Sequence, residues 1–315
     1  MLAYYVHHLS PFVFQFSNGV GPRWYGLAYV SAFLVGTWLY RKLAERGYSE
    51  LRPDQVGDFI TWAALFGVLL GGRLGYFLFY DLDGLRSDPT LFFRVWQGGM
   101  ASHGGILGLS MFTLWYAHKH RVSWTGLGDN LVVVAPIGLF FGRLANFING
   151  ELYGRITEVS WAMQFPTELQ DPLVWNSKLP QLDQVLGRYP GRIDTPQEII
   201  EEARHSEPFR DLLRDVLSPR HPSQLYEAAL EGVLLFVILW VVRTRLQVKR
   251  GVLTGLFFIL YALVRIVGEQ FREPDASLFG SLTRGQFYSL FMIVIGFAFL
   301  VWSRSESAAT PIKKN

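Results

Sequence analysis

Arg73, His103, Arg143 and Arg265 stand inside apolar runs of this 315-residue chain, and Arg272 stands at the exit of one. Glu227, Glu269 and Asn146 share such runs, with Glu151 just beyond. A guanidinium is a planar fork that matches phosphate oxygens and stays charged at any ordinary pH. Several of them in apolar surroundings describe a site for an anionic amphiphile, a phospholipid above all. A neutral imidazole beside such a site is a natural general base. Glu269 lies four residues after Arg265 and three before Arg272, so the triplet shares a helical face and also fits a structural ion-pair ladder. His103, within Ser102-His103-Gly104-Gly105, fits an interfacial helix start as well as a base. Gly104, Gly105 and Gly108, like Gly71, Gly72 and Gly75, allow close approach of an acyl chain or of another helix.

Ionisable groups need rigid elements to hold them at one depth. Half of the chain is hydrophobic and only 17% is charged, where soluble domains carry about 25%, and a lipid bilayer accounts for the surplus. Roughly 20 apolar residues cross the hydrocarbon core. Seven runs meet that length: Trp24–Leu43, Val56–Tyr80, Met100–Ala117, Gly126–Ile148 with Pro136 as a tolerated kink, Ser223–Val242, Val252–Phe271 and Gly285–Trp302. The first basic residue is Arg23, so the charged start of a cleavable signal peptide is missing and the first span is expected to stay.

Lysine and arginine mark cytoplasmic connections. One alternating set of short connections holds 13 of them, including Arg41, Lys42, Lys119, Arg121, Arg243, Arg250, Lys313 and Lys314, and the other holds five. The expected fold is therefore an all-α polytopic membrane protein with seven transmembrane helices, N-terminus out and C-terminus in. Residues 1–148 carry helices one to four, 149–222 form a small extracytoplasmic α+β head, 223–302 carry helices five to seven, and 303–315 form a cytoplasmic tail. In the head, Trp161–Phe165 reads as a strand and Thr195–Leu217 as an amphipathic helix or helix pair, with Thr195 and Pro196 at its N-cap and N1 and Ile199, Ile200, Leu212, Leu213 and Val216 inward. In this orientation Arg73, His103, Arg143, Asn146, Glu227, Arg265, Glu269 and Arg272 converge on the outer headgroup level, and nothing comparable is expected in the inner half.

The chain has no cysteine, which removes an enzyme thiol, thiolate metal sites and iron–sulfur clusters. The net charge of +3 gives no footprint for nucleic acid. His7, His8, His118, His120 and His205 show no metal-ligand spacing, so neither metal nor cofactor is expected. A transporter or flippase for an anionic lipid is the competing class; it would carry charges down to the midplane. An intramembrane protease would need paired span aspartates, a zinc motif or a serine dyad.

The run Gly142-Arg143-Leu144-Ala145-Asn146-Phe147-Ile148-Asn149-Gly150-Glu151-Leu152-Tyr153-Gly154 resembles the signature of the bacterial prolipoprotein diacylglyceryl transferases. Further segments agree in order: Arg23-Trp24-Tyr25-Gly26, Gly72-Arg73-Leu74-Gly75-Tyr76, Ser102-His103-Gly104-Gly105, His221-Pro222-Ser223-Gln224-Leu225-Tyr226-Glu227, and Tyr261 through Arg265 and Glu269 to Arg272-Glu273-Pro274-Asp275. The resemblance spans nearly the whole chain and is weakest over 171–217, which looks like an insertion in the head. It implies a multi-pass enzyme of the bacterial cytoplasmic (inner) membrane, with its active site facing the outer leaflet. Its partners would be phosphatidylglycerol, drawn from the membrane lipid, and a preprolipoprotein signal peptide bearing a lipobox cysteine. The diacylglyceryl group passes to that cysteine as a thioether and glycerol phosphate is released. Residue by residue, the resemblance implies that Arg143 binds the headgroup, that Arg265 assists at the same phosphate and that His103 is the catalytic base. Tyr25, Arg73, Gly104, Asn146, Glu151, Gly154, Tyr261, Glu269 and Arg272 would bind substrate or support the site. A free thiol has a pKa near 8.5, so either His103 or the arginine field must favour the thiolate.

Overall fold

The computed structural model describes residues 4–16, 20–95, 98–189, 193–274 and 282–305. Asp275 of the last motif, and Lys313 and Lys314 of the tail, lie outside the described residues. The chain is mostly helical. Its helices are α1 (Trp24–Glu45), α2 (Val56–Tyr80), α3 (Leu82–Ser87), α4 (Ser102–His120), α5 (Trp124–Asn149), α6 (Pro172–Leu186), α7 (Pro196–His205), α8 (Glu207–Leu213), α9 (Ser223–Arg245), α10 (Val252–Gly268) and α11 (Arg284–Trp302). Each of the seven apolar runs is thus a helix, with ends shifted by a few residues. Among the described residues, α2, α5, α9 and α11 are long and apolar enough to cross a membrane, and α10 is apolar over 17 residues. Leu34, Phe79, Met111 and Val294 are more than 60% exposed. Bare apolar side chains in such number require lipid rather than water around them.

The chain divides into two compact units. One comprises Met1–Phe33, Pro136–Val237 and Phe258–Val294, and the other Leu34–Ala135, Ile238–Phe257 and Ile295–Asn315.

In the second unit α2 and α4 pack antiparallel through glycine. A Cβ added to Gly71 would lie 2.6 Å from the Gly104 carbonyl oxygen, and one on Gly75 would lie 2.6 Å from Gly104 Cα. Added to Gly108, it would meet the Gly67 carbonyl and lie 2.8 Å from Gly71 Cα. Backbones at this distance gain dispersion contacts that lipid cannot replace, so only glycine fits. Ala63–Leu69 within α2 is π-helical, an uncommon turn that widens the helix where Gly67 meets Leu109. Below this contact Phe59 packs on Tyr40, Phe112 and Tyr116.

The same unit buries the polar side chains Asp129, Asn130 and Arg243. Asp129 accepts hydrogen bonds from the backbone N–H groups of Gly251 and Thr254 and from the Thr254 hydroxyl, each at 2.8 Å. A carboxylate from α5 therefore caps the N-terminus of α10, where the helix has free N–H groups to satisfy. Asn130 and Arg243 both donate to the Tyr48 carbonyl. The hydrogen bonds of these groups go to the start of α10 and to the turn at Tyr48.

The first unit contains the head. Strands β1 (Tyr5–Val6), β2 (Met163–Gln164) and β3 (Pro219–Arg220) form a small sheet in the order β1-β2-β3, parallel then antiparallel. Its core joins Val6 and Leu169 to Leu182 and Val185 of α6, Ile199 and Ala203 of α7, Phe209 and Leu213 of α8, and Val216. Thr195 caps α7 in a full capping box with Glu198, and Pro196 follows at N1. Both match the sequence expectation, as does the burial of Ile199, Ile200, Leu213 and Val216. Helix α6, capped by Asp171 and carrying Pro180 inside it, was not anticipated. Glu168, fully buried, accepts from Lys178 and Arg220 at 2.6 and 2.7 Å, tying α6 to β3.

Candidate functional site

Three arginines and three glutamates of the first unit form one charge-balanced cluster. Arg143 comes from α5, Glu227 and Glu231 from α9, Arg265 from α10, and Glu269 and Arg272 from the residues just after it. The two oxygens of Glu231 serve two arginines. Oε2 accepts from Nε and Nη2 of Arg143 at 3.1 and 3.0 Å, and Oε1 accepts from Nη1 of Arg265 at 3.2 Å. Glu227 repeats the bridge: Oε1 accepts from Arg265 Nη1 at 2.7 Å and Oε2 lies 3.1 Å from Arg143 Nη1. Arg272 Nη1 approaches Glu227 Oε1 at 3.4 Å, and Arg265 Nη2 pairs with Glu269 at 2.5 Å.

Local structure explains the convergence. Glu231 lies in the π-helical stretch Ala228–Leu234 of α9, one turn after Glu227, so both carboxylates leave one side of the helix. Two like charges at that spacing repel, and the arginines of two neighbouring helices offset the repulsion. Gly232 lets α9 approach α5, since a Cβ there would sit 2.6 Å from Phe140 Cβ. Gly285 performs the same service for Glu269, whose carboxylate occupies the space of a missing Cβ. Glu227 and Glu231 are buried, while the side chains of Arg143 and Arg265 keep 15% exposure each. A guanidinium has five N–H donors. The hydrogen bonds above leave at least two on each of these arginines, among the described residues. Tyr261, one turn before Arg265, lies within the electrostatic reach of Glu231, Arg265 and Arg143.

A second polar group, again in the first unit, sits at the end of α5. Gly150, at φ +70°, ends the helix in a Schellman motif: its N–H donates to the Phe147 carbonyl at 2.9 Å and that of Glu151 to the Asn146 carbonyl at 3.1 Å. The turn folds Glu151 back on its own helix. Its Oε1 accepts from Asn146 Nδ2 at 2.9 Å and from the Tyr25 hydroxyl, to which Asn146 also donates. The Glu151 carbonyl is held by Gln224 Nε2 at 2.7 Å. Tyr25, Asn146 and Glu151, 126 residues apart at the extremes, thus form one hydrogen-bonded triad.

Gly154 lies where three segments meet. Its N–H donates to the His221 carbonyl at 2.9 Å, it bridges to Arg272, and a Cβ there would collide with the Phe271 carbonyl and lie 2.6 Å from the His221 carbonyl. Backbone rather than flexible side chain fills the space, so the position supports the site without contributing a group to it.

The remaining residues of the expected site belong to the second unit. His103 is exposed at the start of α4, its ring 5.3 Å from Phe79 and 5.7 Å from Tyr80. Arg73, expected to bind substrate, is buried and donates to the backbone carbonyls of Leu91, Phe92, Arg94, Gly98 and Gly99. It holds the connection after α3 in place, and its donors are occupied by peptide oxygens. Gly104, also expected at the ligand, faces Gly71 and Gly75 in the helix contact described above. Glu231 is a further member of the cluster outside the expected set, and its place one turn from Glu227 in an apolar run is the same signal that marks the others.

The chain matches the family model described as prolipoprotein diacylglyceryl transferase over residues 11–302. It is 40% identical to a protein of Nitratidesulfovibrio vulgaris over 98% of both chains, and 38% identical to one of Bradyrhizobium diazoefficiens over 93% of both. A relative from Allorhizobium ampelinum is 40% identical over 88% of this chain and 85% of its own. All three are named phosphatidylglycerol–prolipoprotein diacylglyceryl transferase.

Proposed function

The chain belongs to the prolipoprotein diacylglyceryl transferase family, and on that premise we propose that it transfers the diacylglyceryl group of phosphatidylglycerol to the lipobox cysteine of a preprolipoprotein. The observation that carries the reading is the pair of guanidinium groups, Arg143 and Arg265, held on the two oxygens of the single carboxylate Glu231. Two forks fixed so close together, each with N–H donors to spare among the described residues, can grip one phosphate.

The thiol sulfur attacks the glycerol carbon that bears the phosphate ester. A C–S bond forms, the C–O bond breaks with its electron pair on the phosphate oxygen, and glycerol phosphate leaves. Negative charge grows on the phosphate during departure. Arg143 and Arg265, already oriented by Glu227 and Glu231, stabilise it without further reorganisation. His103 takes the thiol proton, the role that the family resemblance implies. Tyr25, Asn146 and Glu151 line the substrate side, and Gly154, Tyr261, Glu269 and Arg272 support the arginines.

The enzyme spans the bacterial inner membrane seven times, N-terminus outside, with the head extracytoplasmic and the arginine cluster toward the outer leaflet. The bias of 13 against five basic residues in the short connections supports this orientation. Product analysis tests the reaction. Purified protein incubated with phosphatidylglycerol and a lipobox peptide should release glycerol phosphate in step with thioether formation. Movement of the lipid between vesicles with no release would instead make the protein a transporter.

A further inference from the structure

An unassigned groove of about 500 Å³ opens in the second unit between the start of α2 and the end of α4. Because the helices run antiparallel, Asp58, Trp62 and Phe66 line the α2 wall, and Phe112, Trp115 and Lys119 line the α4 wall in the opposite order. Trp62 stacks on Phe66 along one wall at 5.4 Å, and Phe112 packs on Trp115 along the other at 5.7 Å. The end of the groove nearer these helix termini thus bears Asp58 and Lys119, with Gln55 and His120 beside them, and the rest of its lining is aromatic.

Opposite charges on facing helices would ordinarily close on each other. Here Lys119 Nζ lies 4.8 Å from the centre of the Trp115 ring, and Asp58, exposed, makes no ion pair with Lys119 among the described residues. We propose that this groove binds a zwitterionic aminophospholipid, its ammonium on Asp58, its phosphate on Lys119 and an acyl chain along the aromatic lining. A molecule carrying both charges spans a separated carboxylate and ammonium, whereas an anionic lipid would leave Asp58 opposed to its headgroup. A primary ammonium also donates charge-assisted hydrogen bonds to a carboxylate, which a quaternary one cannot. In the orientation proposed above the groove opens at the inner-leaflet headgroup level; the leaflet rests on that reading, the lipid class on the groove alone.

Native mass spectrometry of the full-length protein, titrated with dioleoyl phosphatidylethanolamine, phosphatidylcholine or phosphatidylglycerol, tests the assignment. Phosphatidylethanolamine should bind roughly tenfold more tightly than phosphatidylcholine. Asp58→Asn should erase that difference, and Lys119→Gln should weaken both zwitterionic lipids alike. Diacylglyceryl transfer by Asp58→Asn in phosphatidylglycerol micelles serves as the folding control. Equal affinity for the two zwitterionic lipids in the wild type would overturn the proposal. So would a preference for phosphatidylethanolamine that survives in Asp58→Asn.

Discussion

Glu231 is the residue on which the arginine cluster turns. Each of its oxygens serves a different guanidinium, so its loss leaves two largely buried cations, each with 15% of its side chain exposed, short of a partner. Breaking a buried pair from one side costs roughly 3–5 kcal/mol. Glu231→Ala should therefore lower the thermal midpoint of the purified protein well below that of Glu231→Gln, which keeps an acceptor oxygen, and both should transfer more slowly than wild type. Equal midpoints for wild type and Glu231→Ala would show that the carboxylate does not hold the arginines. Gly154→Ala tests a different cause, since the methyl meets backbone carbonyls that cannot swing aside. Overpacking of this kind costs roughly 1–3 kcal/mol. The variant should lose both stability and transfer, and unaltered melting with unaltered activity would contradict the close approach. Arg143, Arg265 and Glu269 were legible because charge inside an apolar run is rare. Arg73 satisfied the same rule, yet its partners proved to be five peptide carbonyls. Residue type reveals that a buried charge must be satisfied, and only geometry reveals by what.

Elements were legible where a local physical rule dominates. Apolar length marks the seven long helices, and a threonine followed by proline and then Glu198 marks the start of α7. Helix α6 is not legible because Pro180 breaks its apolar run, although Asp171 and Pro172 form a good start. The Schellman end of α5 was visible only as a glycine in a motif, and its consequence, the return of Glu151 to Asn146, needs the backbone. The sheet of the head depends on pairing between distant segments, and it carries a pH prediction. His7, beside β1, is buried against Phe147 and Phe165, and burial pushes its imidazole down to about 4 from an ordinary 6.5. The folded head thus resists protonation that the unfolded chain accepts. Its stability is full above about pH 6.5 and falls as pH drops from there toward 4, by an amount on the order of 3 kcal/mol. Thermal midpoints measured across that window should drop more steeply in wild type than in His7→Phe. Parallel curves for the two proteins would remove His7 as the cause.

At the scale of the whole molecule, the absence of cysteine becomes an experimental asset as well as a chemical statement. In the proposed reaction the thiol is the substrate's, and any introduced cysteine is a unique label. In intact spheroplasts a membrane-impermeant maleimide should modify Ser177→Cys in the head and leave Ser123→Cys, between α4 and α5, unmodified until the membrane is opened. The reverse pattern would invert the proposed orientation. The central claim is that Arg143 and Arg265 together stabilise the departing phosphate of phosphatidylglycerol. The most direct measurement is the rate of diacylglyceryl transfer from labelled phosphatidylglycerol to a lipobox peptide by wild type, Arg143→Ala and Arg265→Ala, with circular dichroism reporting that each is folded. Loss of one such donor should slow transfer by roughly 10²–10³-fold, with glycerol phosphate release falling in proportion. Near-wild-type transfer by either folded variant would contradict the account.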